Sequence, residues 1–302
     1  MAVALDDPSP YREPLRQAVE AGGGTLVSPT DAEGLIWISP HDADAFPAIR
    51  AAAPNLTWVQ LPYAGITPFL PHLDDSVHWT CGKGVYAEPV AEHALALTLA
   101  GFRNLHGYAR AHGWSERVGT NLLGARVTIL GAGGITDSLL RLLGPWGCST
   151  TVVRRRDEPH PGAHRTVRTD RMLEALTGAD VAVVAWALTP TTTGLLDANA
   201  FAAMPDTAWL VNVGRGRHVV TADLVDALRG GSIGGAALDV TDPEPLPSDH
   251  PLWTFPNCII TPHTANTLQM GIDLYAERVT ENVRRFIAGE ELIGPIDLAA
   301  GY

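Results

Sequence analysis

Three short apolar segments in the second half of the chain restrict its fold more than any other feature does. They cover residues 208–213, 235–240 and 258–260, and each runs into polar residues and then Gly or Pro. Apolar runs of this kind are typical of buried parallel strands that end in loops. Because ligands bind at the carboxyl ends of such strands, the polar residues that follow are candidates for a functional site.

Four charged or titratable side chains stand at these strand ends. Arg215 follows the first segment, Asp239 and Glu244 lie at and beyond the end of the second, and His263 follows the third. Taken alone, each would be read as an ordinary loop residue. Their shared position instead predicts that a guanidinium, two carboxylates and an imidazole meet at one rim of the sheet, where they suit proton transfer beside an anionic substrate.

A glycine-rich turn earlier in the chain indicates a dinucleotide site. Residues 126–130 are predicted to form a strand, and G-A-G-G-I-T then leads into a helix that reaches Gly144. Gly131 allows the tight turn, and Gly133 allows a pyrophosphate to approach the N-terminus of the helix. Thr136 replaces the third glycine of the fingerprint, which predicts looser packing of helix on strand. Asp137 adds a negative charge that would weaken binding if it faced the phosphates.

The next predicted strand, residues 150–153, ends in three arginines, Arg154, Arg155 and Arg156. An acidic residue at this place would hold the 2′-hydroxyl of NAD, whereas an arginine can pair with the 2′-phosphate of NADP. A basic run is otherwise most often a solvated loop. The position at this strand end favours NADP, with NAD as the alternative, and Arg154 is the best single candidate.

Length and composition exclude several classes of protein. The 302 residues exceed one ordinary core and indicate two domains, and the net charge of −12 argues against a nucleic-acid partner. Three widely spaced cysteines without a CxxC motif indicate reduced thiols in a cytoplasmic protein and no metal site. The chain does not start like a signal peptide, and the apolar run 181–188 is too short to cross a bilayer, so no membrane partner is expected.

Strand and helix patterns alternate through the N-terminal part, which predicts an α/β layer with a largely parallel sheet. Strands are predicted at residues 3–5, 25–27, 34–39, 56–61 and, later, 180–187, and helices at residues 14–21, 43–52 and 268–288. Residues 88–112 are predicted to form one long, mostly buried helix that joins the domains and contributes to a dimer interface. Glu92 and His93 on this helix are interpreted as structural, because adjacent helix residues point in different directions.

Three segments resemble the signature segments of the D-isomer-specific 2-hydroxyacid dehydrogenases in order and spacing: N-V-G-R-G, A-L-D-V-T-D-P-E-P-L-P and P-L-W-x-x-P-N-x-x-x-T-P-H. The C-terminal G-Y and the chain length are similar to those of the glyoxylate/hydroxypyruvate reductase branch. The resemblance implies two Rossmann-like, doubly wound α/β domains. Residues 1–96 and 267–302 would form a flavodoxin-like substrate domain, and residues 97–266 the dinucleotide-binding domain.

The resemblance also implies a reaction: hydride transfer between NAD(P)H and a small 2-oxo acid such as glyoxylate or hydroxypyruvate, in a homodimer. Arg215 would anchor the substrate, and His263, with Glu244 as its carboxylate partner, would be the acid/base. The loop Q-L-P-Y-A-G-I differs from the usual family sequence but implies a substrate-carboxylate site at Tyr63, Ala64 and Gly65. The implied cofactor-binding residues are Gly131, Gly133, Gly134, Ile135, Arg154, Arg155, Leu188, Thr189, Val213, Gly214 and Asp239.

Two alternatives stay open at this point. A protein of this fold can bind NAD(P)(H) as a sensor without turning over a substrate, because fold does not dictate function. Retention of Arg215, Glu244 and His263 favours an enzyme, whereas the altered residues Thr136 and Asp137 favour the sensor slightly. A phosphorylated hydroxyacid is the second substrate class, although the N-terminal loops show no additional cationic cluster.

Overall fold

The computed structural model describes residues 2–5, 11–39 and 43–298. The chain divides into two units, one of Met1–Tyr86 with Thr267–Tyr302 and one of Ala87–Asn266. The sequence places the first boundary after residue 96, whereas the division falls at residue 87, where a helix begins. That helix therefore belongs wholly to the second unit.

The helices and strands follow one another in α/β alternation. The strands are β1 (Ala2–Leu5), β2 (Thr25–Leu26), β3 (Gly34–Ile36), β4 (Trp58–Gln60), β5 (His78–Thr80), β6 (Arg126–Leu130), β7 (Ser149–Arg154), β8 (Arg165–Arg168), β9 (Val181–Val184), β10 (Trp209–Asn212), β11 (Gly235–Leu238) and β12 (Cys258–Ile260). The α-helices are α1 (Arg12–Ala21), α2 (Phe46–Ala51), α3 (Ala87–Phe102), α4 (Leu105–Arg110), α5 (Gly134–Leu143), α6 (Met172–Leu176), α7 (Ala198–Ala203), α8 (Thr221–Gly230) and α9 (Leu268–Ala288).

The first unit contains a parallel sheet with the strand order β2-β1-β3-β4-β5, which is the order of flavodoxin-like folds. A buried polar network joins this sheet to α9. The side-chain oxygen of Gln60 accepts hydrogen bonds of 2.8 Å from Thr80 and from Asn282. Because these buried polar groups satisfy one another, α9 is fixed on the sheet by specific bonds as well as by apolar packing.

The second unit contains a parallel sheet with the order β12-β11-β10-β9-β6-β7-β8. This is the Rossmann order with one strand added, and its order reverses between β6 and β9. Side chains of β9 alternate between two apolar clusters, because Val181 and Val183 join one and Ala182 and Val184 the other. The sheet is buried on both faces, which explains why the sequence reads as continuous apolar runs rather than as an alternation.

The long helix predicted at residues 88–112 is wrong in detail, because the chain forms two helices there and not one. The chain turns between α3 and α4 at Asn104, whose φ of 49° lies in the left-handed region. Asparagine tolerates this conformation better than most residues do. α3 has Pro89 in its first turn and seven buried residues among its sixteen, whereas none of the residues of α4 is buried. The strand predicted at residues 180–187 is also shorter, since β9 ends at Val184.

The three cysteines, Cys81, Cys148 and Cys258, are all buried free thiols. Burial raises the pKa of Cys258 to about 12, so this thiol stays protonated and unreactive near neutral pH. Within the described ranges, no group of three His, Cys, Asp or Glu side chains is arranged to hold a metal ion. Among the helices of the same ranges, none has the length and apolar character needed to span a bilayer.

Candidate active site

The turn after β10 is held together by the side chain of Asn212, which is fully buried. Its Nδ2 donates to the carbonyl oxygen of Arg215 at 3.0 Å, and its Oδ1 accepts from the backbone N–H of Gly214 at 3.0 Å. A Cβ added to Gly216 would lie 1.9 Å from the carbonyl oxygen of Thr241. The turn that carries Arg215 therefore packs directly on the loop after β11, and only glycine fits there.

The loops after β11 and β12 meet through Glu244 and His263. The Oε1 atom of Glu244 lies 2.6 Å from Nδ1 of His263, and Oε2 accepts from the backbone N–H of Thr241 at 3.4 Å. Both side chains are partly exposed, so the pair is open to a ligand. Burial lowers the pKa of Arg215, and the negative charge of Glu244 partly offsets that effect. The structure thus brings Arg215, Glu244 and His263 into one electrostatic cluster.

The backbone of His263 has a left-handed conformation with φ of 51°. In a residue other than glycine this conformation costs about 1–2 kcal/mol, so the surrounding structure must stabilise it. The N–H of His263 donates to the carbonyl oxygens of Asp239 at 2.8 Å and Thr261 at 3.0 Å. The Asp239 carboxylate accepts from the next two amides, Thr264 at 2.9 Å and Ala265 at 3.0 Å. Asp239 therefore orients the loop on which His263 is presented.

His93 on α3 contacts the same network. Its Nε2 lies 3.1 Å from Oγ1 of Thr261 and 3.4 Å from Oδ1 of Asp239, while Thr261 donates to that carboxylate at 2.6 Å. Burial alone would raise the pKa of Asp239, but the hydrogen bonds from His93, Thr261 and the loop amides lower it to about 2. The sequence offers no signal for this link, because His93 and Thr261 are 168 residues apart.

The glycine loop between β6 and α5 has the geometry that a dinucleotide needs. Gly131 has a φ of 135°, and a Cβ there would lie 2.6 Å from the carbonyl oxygen of Ala185. Gly133 caps α5, and a Cβ there would meet no atom within 4 Å, so the backbone is open to a ligand. Gly134 begins the helix, and Ile135 is half-buried behind it. These residues fit a pyrophosphate at the free N–H groups of α5.

The two unusual residues of α5 have different surroundings. Thr136 is fully buried, and its hydroxyl has no hydrogen-bond partner. Asp137 has a side chain that is 67% exposed, and its Oδ1 lies 3.4 Å from Nε2 of the buried His160. Solvent therefore moderates the negative charge of Asp137, which limits its expected effect on a bound phosphate.

Arg154 ends β7, as the sequence predicts. It is half-buried and donates to the carbonyl oxygen of Glu158 at 3.4 Å, while Arg155 and Arg156 are exposed. Of the ion pairs formed by the described residues, none involves these three arginines. Their positive charges are therefore available to an anionic ligand beside the strand end.

The loop after β9 contains two further predicted cofactor residues. Leu188 and Thr189 are half-buried, and the hydroxyl of Thr189 lies 3.0 Å from that of Thr192. Val213 is buried at the end of β10, and its N–H donates to the carbonyl oxygen of Val184 at 3.3 Å. The loops after β9 and β10 thus start side by side, at the edge of the sheet where the glycine loop also lies.

The predicted substrate-carboxylate loop belongs to the first unit. Tyr63 is half-buried, its ring lies 5.2 Å from that of Tyr86, and burial raises the pKa of its hydroxyl. Ala64 is exposed and Gly65 is half-buried. The Tyr86 hydroxyl donates to the carbonyl oxygen of Pro62 at 3.1 Å, which fixes the start of the loop.

Residues 93–265 match the family model for the NAD-binding domain of the D-isomer specific 2-hydroxyacid dehydrogenases. The chain belongs to this family. A 2-hydroxyacid dehydrogenase is an NAD(P)-dependent oxidoreductase, so the predicted family and enzyme class are confirmed. The predicted fold of two doubly wound α/β domains is confirmed as well.

Relatives and solved structures agree with this membership. The dehydrogenase is 38% identical over 299 residues to an uncharacterised protein of Corynebacterium melassecola, covering 96% of this chain and 97% of that protein. It is 31% identical over 214 residues to glyoxylate/hydroxypyruvate reductase A of Photorhabdus laumondii, covering 70% of this chain and 68% of the relative.

Among solved structures, it is similar to a D-isomer specific 2-hydroxyacid dehydrogenase from Xanthobacter autotrophicus in complex with NADPH, with a TM-score of 0.85, 27% identity and coverage of 100% and 99% of the two chains. It is also similar to an NADPH-dependent glyoxylate/hydroxypyruvate reductase from Sinorhizobium meliloti in complex with NADP and sulfate, with a TM-score of 0.83, 25% identity and the same coverage.

Proposed function

We propose that this dehydrogenase reduces a small 2-oxo acid, such as glyoxylate or hydroxypyruvate, to the D-2-hydroxy acid and that it uses NADPH. The observation that carries the proposal is the hydrogen bond of 2.6 Å between Glu244 and His263, within electrostatic reach of Arg215. Formate oxidation releases carbon dioxide and needs no proton donor of this kind, so the pair favours chemistry between an alcohol and a ketone. The relatives named as glyoxylate/hydroxypyruvate reductases support the substrate class.

The proposed mechanism assigns one task to each of the three residues. Arg215 binds the substrate carboxylate and carbonyl through its planar guanidinium. Glu244 engages Nδ1 of His263, which leaves Nε2 as the nitrogen that delivers a proton to the carbonyl oxygen. The nicotinamide, when bound, supplies the hydride that C2 receives. The positive charge of Arg215 also stabilises the negative charge that develops on the carbonyl oxygen.

The proposed cofactor site uses the open backbone at Gly133 and the N-terminus of α5 for the pyrophosphate. Arg154 and Arg155 would pair with the 2′-phosphate, which favours NADP over NAD. The NADP-bound and NADPH-bound relatives support this preference. The loop residues Leu188, Thr189, Val213, Gly214 and Asp239 are proposed to lie near the nicotinamide half, on the strength of the family resemblance alone.

We assign the substrate role to the first unit and the dinucleotide role to the second. Family resemblance supports Tyr63, Ala64 and Gly65 as the loop whose N–H groups take the substrate carboxylate. The match of residues 93–265 to an NAD-binding domain supports the assignment of the second unit.

We also infer a homodimer that acts in the cytoplasm. Large apolar side chains are exposed along α4 and the segment after it, including Leu105 at 53%, Trp114 at 101%, Val118 at 54% and Leu123 at 67%. A patch of this kind is typical of a protein interface. The three free thiols suit a reducing compartment.

Steady-state oxidation of NADPH and NADH with a panel of 2-oxo acids tests the proposal. We expect turnover of glyoxylate or hydroxypyruvate, a lower KM for NADPH than for NADH, and little activity with phosphorylated hydroxypyruvate. Tight binding of NADPH without turnover of any acid would support the sensor alternative instead. Equal use of both cofactors would contradict the role of Arg154 and Arg155.

A further inference from the structure

A fully buried histidine lies next to the proposed substrate anchor. His218 ends the short 3-10 turn Gly216–His218 that follows Arg215, and its relative exposure is 0%. Its Nδ1 lies 3.0 Å from the carbonyl oxygen of Thr192, and its Nε2 lies 3.2 Å from the carbonyl oxygen of Trp186. Both acceptors belong to the loop after β9, so the ring connects that loop to the Arg215 turn.

The two contacts place different demands on the ring. A carbonyl oxygen only accepts hydrogen bonds, so each nitrogen needs its own proton to bond. A neutral imidazole has one N–H and the imidazolium has two. In the neutral ring, one nitrogen lone pair therefore faces a carbonyl oxygen in a buried place, where an unmade hydrogen bond is costly.

The surroundings oppose protonation of this ring in the free protein. Burial lowers the pKa of His218, the two carbonyl oxygens raise it, and the positive charge of Arg215 lowers it further. The facing loop, residues 185–194, has no ionisable side chain. Arg217 in the same turn is exposed, and Glu244, on the loop against Gly216, acts on Arg215. The positive charge of Arg215 thus acts on the ring, and an anion bound to Arg215 would offset it.

We propose that His218 is a proton-dependent clasp. When a substrate carboxylate offsets the positive charge of Arg215, the ring is protonated and donates both hydrogen bonds to the loop of residues 186–192. The proposal rests on the proposed function of Arg215 as the carboxylate anchor. An anion on Arg215 removes the repulsion that disfavours the imidazolium, so the ring gains a proton and donates to both Thr192 and Trp186. The same coupling acts in reverse, because protonation of His218 must tighten anion binding by the same factor.

The clasp would hold the loop after β9 and the Arg215 turn in a fixed arrangement when the substrate is bound. The loop after β9 and the turn that carries Arg215 are already joined by a backbone bond of 2.9 Å from the N–H of Gly194 to the carbonyl oxygen of Arg217. The His218 ring adds one hydrogen bond to this connection before the anion binds and two afterwards. An anion would thus fix the Arg215 turn relative to a loop whose residues Leu188 and Thr189 are proposed to lie near the nicotinamide. His218 is in this view a positioning residue, since it acts through Arg215 and does not itself contact the substrate.

Nuclear magnetic resonance of the histidine ring nitrogens tests the clasp, because it reports the protonation of each nitrogen directly. The His218 signal is identified by its loss in His218→Gln. Should that variant not fold, the ring is identified by its contact with Gly214, whose added Cβ would lie 3.3 Å from the ring Cδ2. The first arm compares wild type with Arg215→Met and with the matched control Arg217→Met, all without ligand. We expect the His218 titration to move to higher pH in Arg215→Met and to stay unchanged in Arg217→Met.

The second arm adds NADP and oxamate, a 2-oxo acid analogue, to the wild-type enzyme at a fixed pH. We expect the protonated fraction of His218 to rise and N–H protons to appear on both ring nitrogens. Bound oxamate with an unchanged His218 signal would overturn the clasp and leave the proposed function intact. An unchanged titration in Arg215→Met would also overturn the clasp. Failure of oxamate to bind would contradict the proposed function, and the ligand-free arm would still decide the clasp.

Discussion

The substitution Asp239→Asn removes one of the acceptors that hold the His263 loop while it keeps the size of the side chain. The Oδ1 atom of Asp239 accepts from Thr261 and from the N–H of Thr264, whereas Oδ2 accepts from the N–H of Ala265 at 3.0 Å. The amide oxygen of asparagine will take the Oδ1 position, because more donors point there. Its NH2 group then faces the N–H of Ala265, so that donor loses its partner.

Two figures that describe the same hydrogen bonds give the size of the effect. A buried N–H without a partner costs about 1–3 kcal/mol. The pKa of Asp239 is lowered from 3.8 to about 2, which corresponds to about 2 kcal/mol of stabilisation of the carboxylate. Since 1.4 kcal/mol is a factor of ten, the loop should open about 10–100 times more often in the variant.

Hydrogen exchange of the backbone amides measures this opening directly. We expect the protection of Ala265 to fall by about 10–100-fold in Asp239→Asn and turnover to fall with it, because His263 is presented by the same loop. In the wild type, the contribution of the carboxylate is complete above about pH 4 and is lost as the pH falls towards 2, because the folded pKa is the lower one. Unchanged protection of Ala265 in the variant, with unchanged turnover, would refute the role of Asp239 in orienting the loop.

Two further substitutions test other parts of the site. Arg154→Asp places a carboxylate where the 2′-phosphate is proposed to bind. We expect the affinity for NADPH to fall by at least tenfold and the affinity for NADH to change little. Equal losses for both cofactors in binding titrations would exclude the NADP assignment. Gly216→Ala adds a methyl group 1.9 Å from the carbonyl oxygen of Thr241, which forces the Arg215 turn away from the Glu244 loop. We expect kcat/KM for the 2-oxo acid to fall by about 100-fold while the affinity for NADPH stays within about threefold of the wild-type value. A fully active variant would show that the Arg215 turn and the Glu244 loop need not be in contact.

Much of the fold could be predicted, because the strongest signals are local. The periodic apolar pattern of α9 and the continuous apolar runs of β6 and β12 have the predicted bounds. The sequence does not predict the short strands β5 and β8. β5 contains His78, and β8 begins and ends with arginine, so neither resembles a buried strand. Their pairing with the neighbouring strands β4 and β7, and not their own composition, makes them strands.

The break between α3 and α4 shows a different limit of local patterns. The helix signal continues through Arg103 and Asn104, and only the left-handed backbone of Asn104 ends it. The side chain of Asn104 also lies where a Cβ on Gly107 would be, so these two residues are matched to one another. A pattern read in a window of the sequence cannot detect such a fit.

Some residues of the candidate site can be predicted from local patterns, and others cannot. The positions of Arg215, Glu244 and His263 follow from strand ends, since the ends of parallel strands share one edge of the sheet. The supporting residues do not follow, because they depend on contacts between distant segments. His93 reaches Thr261 from a helix 168 residues away, and the ring nitrogens of His218 face two carbonyl oxygens that are 26 and 32 residues away.

Turnover of 2-oxo acids by the variant His263→Asn tests whether the Glu244–His263 pair is the proton donor of this dehydrogenase. Asparagine tolerates the left-handed backbone at this position, so the loop should keep its conformation. We predict that kcat with glyoxylate falls by about two to four decades while the Kd of NADPH is unchanged. Turnover equal to that of the wild type would contradict the proposed mechanism.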